Sequence, residues 1–153
     1  MIFIPKTIWE RLLQELRKRR RKVEQIAYLD GIDNGQVSVV TTLTFPYAIL
    51  GTANFSVPAQ AMSQAGQHLG VLTRVAQVHT HPGEWVGHSG VDCDWAYSQH
   101  DGAVSIVLPN YGKSVRDISQ VGIHVCRRGT WHEIRPVDRV GFLQILPSLF
   151  DFR

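Results

Sequence analysis

The sequence predicts an α/β fold in which helices interrupt the strands of a mixed central sheet. Three observations carry that expectation. An amphipathic stretch near the start places apolar residues at helical spacing, β-branched runs of strand length recur along the chain, and helix-like segments separate those runs. With 153 residues and 44% hydrophobic content, the chain can bury one core, and a single domain over 1–153 is expected.

Residues 5–20 read as the first helix, because Ile8, Leu12, Leu13 and Leu16 fall at helical spacing and Pro5 suits a first turn. Strands are expected over 23–29 and 36–45, joined by residues 30–35, whose Asp-Gly and Asn-Gly pairs are turn signals. Pro46 and Gly51 break the second strand, and a short strand is expected over 54–57. The Ala, Met and Gln content of 58–69 suggests a second helix, and 74–81 reads as a strand stopped by Pro82. Ser89-Gly90-Val91-Asp92 has the form of a capping box that opens a third helix, expected to end near Asp101-Gly102. A buried strand over 103–108 and a hairpin of 121–126 with 131–134 complete the sheet. The apolar stretch 140–152 is expected to pack on the body or on a partner.

Ordinary apolar content and a formal charge of only +3 exclude the disordered class. No apolar run has the length of a membrane span, and the opening MIFIPKTIWE resembles neither a secretory signal nor a transit peptide, so a cytoplasmic protein is expected. Cys93 and Cys126, without CxxC spacing, read as reduced thiols. Arg17, Lys18, Arg19, Arg20, Arg21 and Lys22 hold six of the sixteen basic residues, and the other ten face 13 acidic ones. That distribution argues against a general nucleic-acid surface, and no aromatic interleaves the block to stack on bases. A solvated helix end that complements the helix dipole is the simpler account, with contact to an acidic protein partner as the other.

The chemistry is concentrated in residues 77–94. His79 and His81, two apart on a strand, project from one face and can converge on one ion. Pro82 turns the chain away, and the capping box brings Ser89 and Asp92 together on the first turn of a helix, where a carboxylate is favoured. Two imidazole nitrogens and one carboxylate oxygen, with a fourth position left to water, form the open arrangement of a catalytic zinc site. A lone histidine is more often structural and Ser-x-x-Asp is often only a cap; their combination within fourteen residues favours the metal. Of the neighbours, His88 is expected to line the cleft, Asp94 to point away about 200° round the helix axis, and Cys93 to be a small helix residue. Trp85 in its Gly-flanked loop reads as a cleft wall, and Trp9, Trp95 and Trp131 as core.

His79-Thr80-His81-Pro82, the gap to His88, and Ser89-Gly90-Val91-Asp92 resemble the H-x-H, S-x-x-D signature of the JAMM (JAB/MPN) metallopeptidases, with matching spacing at every defined position. Residues 23–31 resemble the upstream strand segment of that family, with Glu24 as its acid and Ala27 where glycine is usual. The resemblance spans about 24–112 and implies an MPN-like, cytidine-deaminase-like fold. It also implies one zinc per chain on His79, His81 and Asp92, with Glu24 as general base and Ser89 as oxyanion donor. The implied substrate is a ubiquitin-like protein or its conjugate, cut at the amide or isopeptide bond after its C-terminus. Short prokaryotic members resemble components encoded beside ubiquitin-like proteins and their activating and conjugating enzymes, including antiviral conjugation systems. Two alternatives stay open: a hydrolase acting on a sulfur-carrier-like protein, and a metal-free scaffold, although this chain keeps all five positions.

Overall fold

The computed structural model describes residues 1–18 and 22–147, the side chains of 93–95 excepted. Its centre is an eight-stranded sheet in which Leu143–Leu146, Ile2–Pro5, Ser38–Thr44, Ile26–Asp33, Thr73–Thr80, Val104–Leu108, Gly122–Arg127 and Thr130–Glu133 lie side by side in that order. The chain begins with β1 (Ile2–Pro5) and α1 (Lys6–Lys18), followed by β2 (Ile26–Asp33) and β3 (Ser38–Thr44). A small separate hairpin of β4 (Ile49–Leu50) and β5 (Phe55–Ser56) precedes α2 (Ala59–Gln67) and β6 (Thr73–Thr80). Then come α3 (Gly90–Trp95), β7 (Val104–Leu108), β8 (Gly122–Arg127), β9 (Thr130–Glu133), α4 (Arg139–Phe142) and β10 (Leu143–Leu146). The sheet is mixed as expected: β6 and β7 run parallel, whereas β2 is antiparallel to both β3 and β6.

Alternation sorts the two faces. Ala27 and Leu29 of β2, Ala76 and Val78 of β6, and Ile106 and Leu108 of β7 join the core under α1, where Trp9, Leu12, Leu13 and Leu16 are buried. Burying each such leucine is worth roughly 1.5–3 kcal/mol. Ile26 and Tyr28 face the other way and pack with Phe55, Val57, Ala61 and Ala65 around α2. In β6 the same rule sends Gln77 and His79 to the α2 side. One face of the central strands is therefore greasy and the other carries the polar chemistry.

Four expectations need correction. The Asp30-Gly31 pair, read as part of a turn, lies inside β2 at a bulge, and the turn sits at 34–37 instead. Glycine is required there because a Cβ would fall 1.9 Å from the Val39 carbonyl oxygen, while Asp30 is fully buried and accepts from Arg74 Nε at 2.5 Å. Glu24 does not lie on the first strand of the hairpin, which starts only at Ile26. The third helix ends at Trp95, not near Asp101, because Tyr97 N–H donates to Gln77 Oε1 at 3.0 Å instead of to the helix ladder. Pro5, expected in the first turn of the first helix, instead ends β1, which lies between β3 and β10, so part of the apolar tail completes the sheet edge. Residues 148–152 of that tail lie outside the described residues. Among the described residues no helix is long and apolar enough to cross a membrane.

Candidate metal centre

His79 lies on β6, and His81 follows the strand by one residue, held in line by His81 N–H donating to Leu108 O at 2.9 Å and by Tyr111 N–H donating to His81 O at 2.8 Å. The alternation therefore persists through Thr80, and the two Nε2 atoms meet 3.2 Å apart. Asp92 arrives from the first turn of α3, with Oδ1 3.3 Å from His79 Nε2 and Oδ2 3.3 Å from His81 Nε2. The capping box is formed: Ser89 N–H donates to Asp92 Oδ2 at 2.6 Å, and Asp92 N–H donates to Ser89 Oγ at 3.1 Å. All three side chains are buried, and their ligand atoms lie within 4.8 Å of one another.

The donor set fits a divalent metal ion. The Trp85 carbonyl, 3.1 Å from His81 Nδ1, can only accept, so Nδ1 carries the proton and the Nε2 lone pair faces His79 and Asp92. Complete burial holds the His79 pKa below its ordinary value, which keeps that imidazole neutral as a ligand must be. Burial opposes charge on His81 too, but its contacts with Asp92 outweigh it and raise its pKa. Asp92 resists its own burial through its contacts with His79 and His81 and the hydrogen bond from Ser89 N–H, and stays far below the usual carboxylate range.

Glu24 comes within the field of this cluster from the segment preceding β2. Its N–H donates to Gly51 O at 2.8 Å, while Thr80 N–H donates to Gln25 O at 3.0 Å. Continuing the register that pairs Ile26 with His79 sets Glu24 opposite His81. The carboxyl is buried and its pKa is raised to about 7, chiefly by that burial, with the His81 charge lowering it and the Asp92 charge raising it. A carboxyl poised there can accept and return a proton near neutrality.

The surrounding aromatic rings divide into wall and packing. Trp85 is 59% exposed and stacks on His81, centroids 5.1 Å apart and 16° between planes, over Gly87, where a Cβ would meet the indole at 2.4 Å. His88 packs edge-on to His79 at 5.7 Å and stacks on Trp131 at 4.5 Å, and burial pushes its pKa down to about 3. It is a neutral spacer beside the centre rather than one of the grouped ligands. Trp131 is half-buried against it, and Trp9 is core as expected. The side chains of Cys93, Asp94 and Trp95 lie outside those described, as do Arg19, Arg20 and Arg21 of the basic block. At the described end of that block, Arg17 donates to Val115 O and Lys18 pairs with Glu15 at 2.7 Å.

Sequence reasoning missed the supports. His124 Nε2 donates to Val86 O at 2.8 Å and so anchors the loop whose Trp85 carbonyl orients His81. Gly122 leaves room for that carbonyl, since a Cβ would lie 2.0 Å from Val86 O. No local pattern marks either residue, because their partners lie 36 and more residues away.

No family model matches the sequence. A curated relative, described as the probable metalloprotease y4jG of Sinorhizobium fredii (strain NBRC 101917 / NGR234), is 33% identical over 64 residues. That match covers 41% of this chain and only 39% of the relative, so it spans well under half of either protein. The solution structure of protein DSY2949 from Desulfitobacterium hafniense is similar over 97% of this chain and 95% of its own, with a TM-score of 0.74 and 14% identity. The fold agrees with an MPN-like domain, and the grouped His79, His81 and Asp92 are consistent with a JAMM-type protein.

Proposed function

We propose that the chain is a zinc-dependent metallopeptidase that hydrolyses the amide or isopeptide bond after the C-terminus of a ubiquitin-like protein. The observation that carries this reading is the meeting of His79 Nε2, His81 Nε2 and both Asp92 carboxylate oxygens at one buried point, with the Glu24 carboxyl electrostatically coupled to it. The name of the metalloprotease relative supports the hydrolytic half of the reading. A zinc ion bound there supplies Lewis acidity and lowers the pKa of a bound water toward ~7.

The chain's own residues do the rest. Glu24 takes a proton from the attacking water and returns it to the departing amine nitrogen. Ser89 Oγ already accepts from Asp92 N–H, which leaves its hydroxyl proton to donate to the oxyanion that develops on the scissile carbonyl. The His81–Trp85 carbonyl bond keeps one imidazole from rotating. The exposed indole of Trp85 and the half-exposed Val91 give an extended peptide apolar surface beside the cut. The partner in this reading is the ubiquitin-like protein or its conjugate, with activating and conjugating enzymes in the same pathway.

Two measurements test it. Wild-type protein purified without chelators should contain about one zinc per chain, and Asp92→Ala strongly less. It should also release the C-terminal segment of a ubiquitin-like fusion. Wild-type protein that neither binds zinc nor cleaves such a fusion would be a scaffold.

A further inference from the structure

The face of the sheet that bears the metal centre also carries a row of polar side chains with no direct part in the reaction. The register aligns Tyr28 with Gln77, Gln77 with Ser105, and Ser105 with His124, across four neighbouring strands. All four residues are buried. Polar groups in such a place are costly unless bonded, and an apolar row would fill the same space without that requirement.

At Gln77 and Ser105 the bonds of the row run toward the candidate metal ligands. A backbone N–H can only donate, so the bond from Tyr97 N–H to Gln77 Oε1, 3.0 Å, fixes which way the amide points. Gln77 Nε2 must then donate to Ser105 Oγ, 3.1 Å away. The Ser105 hydroxyl keeps a lone pair and a proton, and it faces His79 Nδ1 at 3.4 Å, on the side of the ring opposite its ligand atom. Tyr97 lies five residues beyond Asp92. Gln77 thereby ties the strand that carries the histidines to the chain leaving the helix that carries the carboxylate.

We infer that Ser105 and Gln77 are positioning residues of the metal centre. Ser105 orients the His79 imidazole so that Nε2 faces Asp92 and His81, and Gln77 holds both Ser105 and the exit of α3 in place. Among the described residues His79 has no carbonyl acceptor on Nδ1 of the kind that His81 has in Trp85, so its orientation depends on this hydroxyl. A hydroxyl suits the position because it can accept from a protonated Nδ1 or donate to a bare one. Removing a group that supports a ligating histidine typically weakens metal affinity ~10- to 100-fold. The inference rests on the metal reading of His79, His81 and Asp92 and is independent of the substrate.

The test is metal binding by chelator-stripped protein. Zinc affinity is measured by competition with a chromophoric chelator, and the coordination geometry by the visible spectrum of the cobalt(II) form. Ser105→Ala should bind zinc ~10- to 100-fold more weakly with a changed cobalt spectrum, and Ser105→Thr, which restores the hydroxyl, should recover most of the affinity. Gln77→Met keeps the volume and loses both bonds; it should weaken binding in the same direction and carries the test if Ser105→Ala does not fold. Wild-type zinc binding with equal affinity and an unchanged cobalt spectrum in folded Ser105→Ala or Gln77→Met overturns the positioning role alone. A wild-type protein that takes up no zinc overturns the metal reading, and this role with it.

Discussion

Ser89 caps the helix whose third residue, Asp92, is the carboxylate of the candidate metal centre, so one serine both starts α3 and sets the angle of a candidate ligand. Helix start and ligand geometry are thus a single local event, written in four consecutive residues.

Replacing Ser89 by alanine should separate its two duties. Loss of the cap costs about 1 kcal/mol of stability, while loss of the oxyanion donor lowers kcat ~10²- to 10³-fold. Asp92 Oδ2 still accepts from Ser89 N–H, so zinc content should stay near the wild-type level. Ser89→Thr keeps both functions. Thermal melts, zinc analysis and turnover of a ubiquitin-like fusion read the three quantities separately, and wild-type turnover by Ser89→Ala removes the serine from the chemistry.

Glu24→Gln keeps the shape of the side chain and cannot accept a proton. It should retain zinc and lose at least ~10² in kcat, the low end for general acid–base catalysis. In metal-free protein the same group has a stability signature. Its carboxyl ordinarily titrates at 4.5 but is pushed up to about 7 on folding, chiefly by burial, so between those values the native state holds a proton that the unfolded chain has released. Its contribution is full below pH 4.5 and is lost as pH rises through about 7. The difference in urea stability between wild type and Glu24→Gln, followed over that range without metal, should show the loss; a flat difference would place Glu24 outside this environment.

Asp30 and Arg74 make the buried ion pair of the second core, with the guanidinium carbon 3.6 Å from the centroid of the Tyr28 ring. Removing one partner leaves the other charge stranded, at a cost of ~3–5 kcal/mol. Asp30→Ala and Arg74→Met should each fall in that range by urea denaturation, and Asp30→Leu combined with Arg74→Met should recover much of the loss. A cost under ~1 kcal/mol for either single variant would mean that the pair is open to water.

The grouping of the candidate ligands was legible in the sequence because the patterns that place them are short. His79 and His81 need only strand alternation, and Asp92 needs only a capping box, each set within a few residues. Asp30-Gly31 misled for the complementary reason. The pair has turn chemistry, but the choice was made by contacts that no local window contains: Arg74, 44 residues on, and the Val39 carbonyl that leaves no room for a Cβ. The early end of α3 has the same origin, since Gln77 captures Tyr97 N–H from twenty residues upstream. Pairing of residues 2–5 with 143–146 leaves no local mark, and strands of four residues are too short for alternation to declare itself.

That parallel pair also sets an order of events during synthesis. β1 borders β3 on one side and β10 on the other, so β1, which precedes the other strands of this sheet in the chain, is enclosed only after β10, which follows them all, has emerged. The residues of the metal centre, from Glu24 to Asp92, are complete long before then. A nascent chain can therefore bring its candidate ligands together while β1 still presents an open edge, the kind of edge that invites pairing with a neighbouring chain. Arrival of β10 closes that interval, and premature termination before residue 143 would leave β1 exposed along that side.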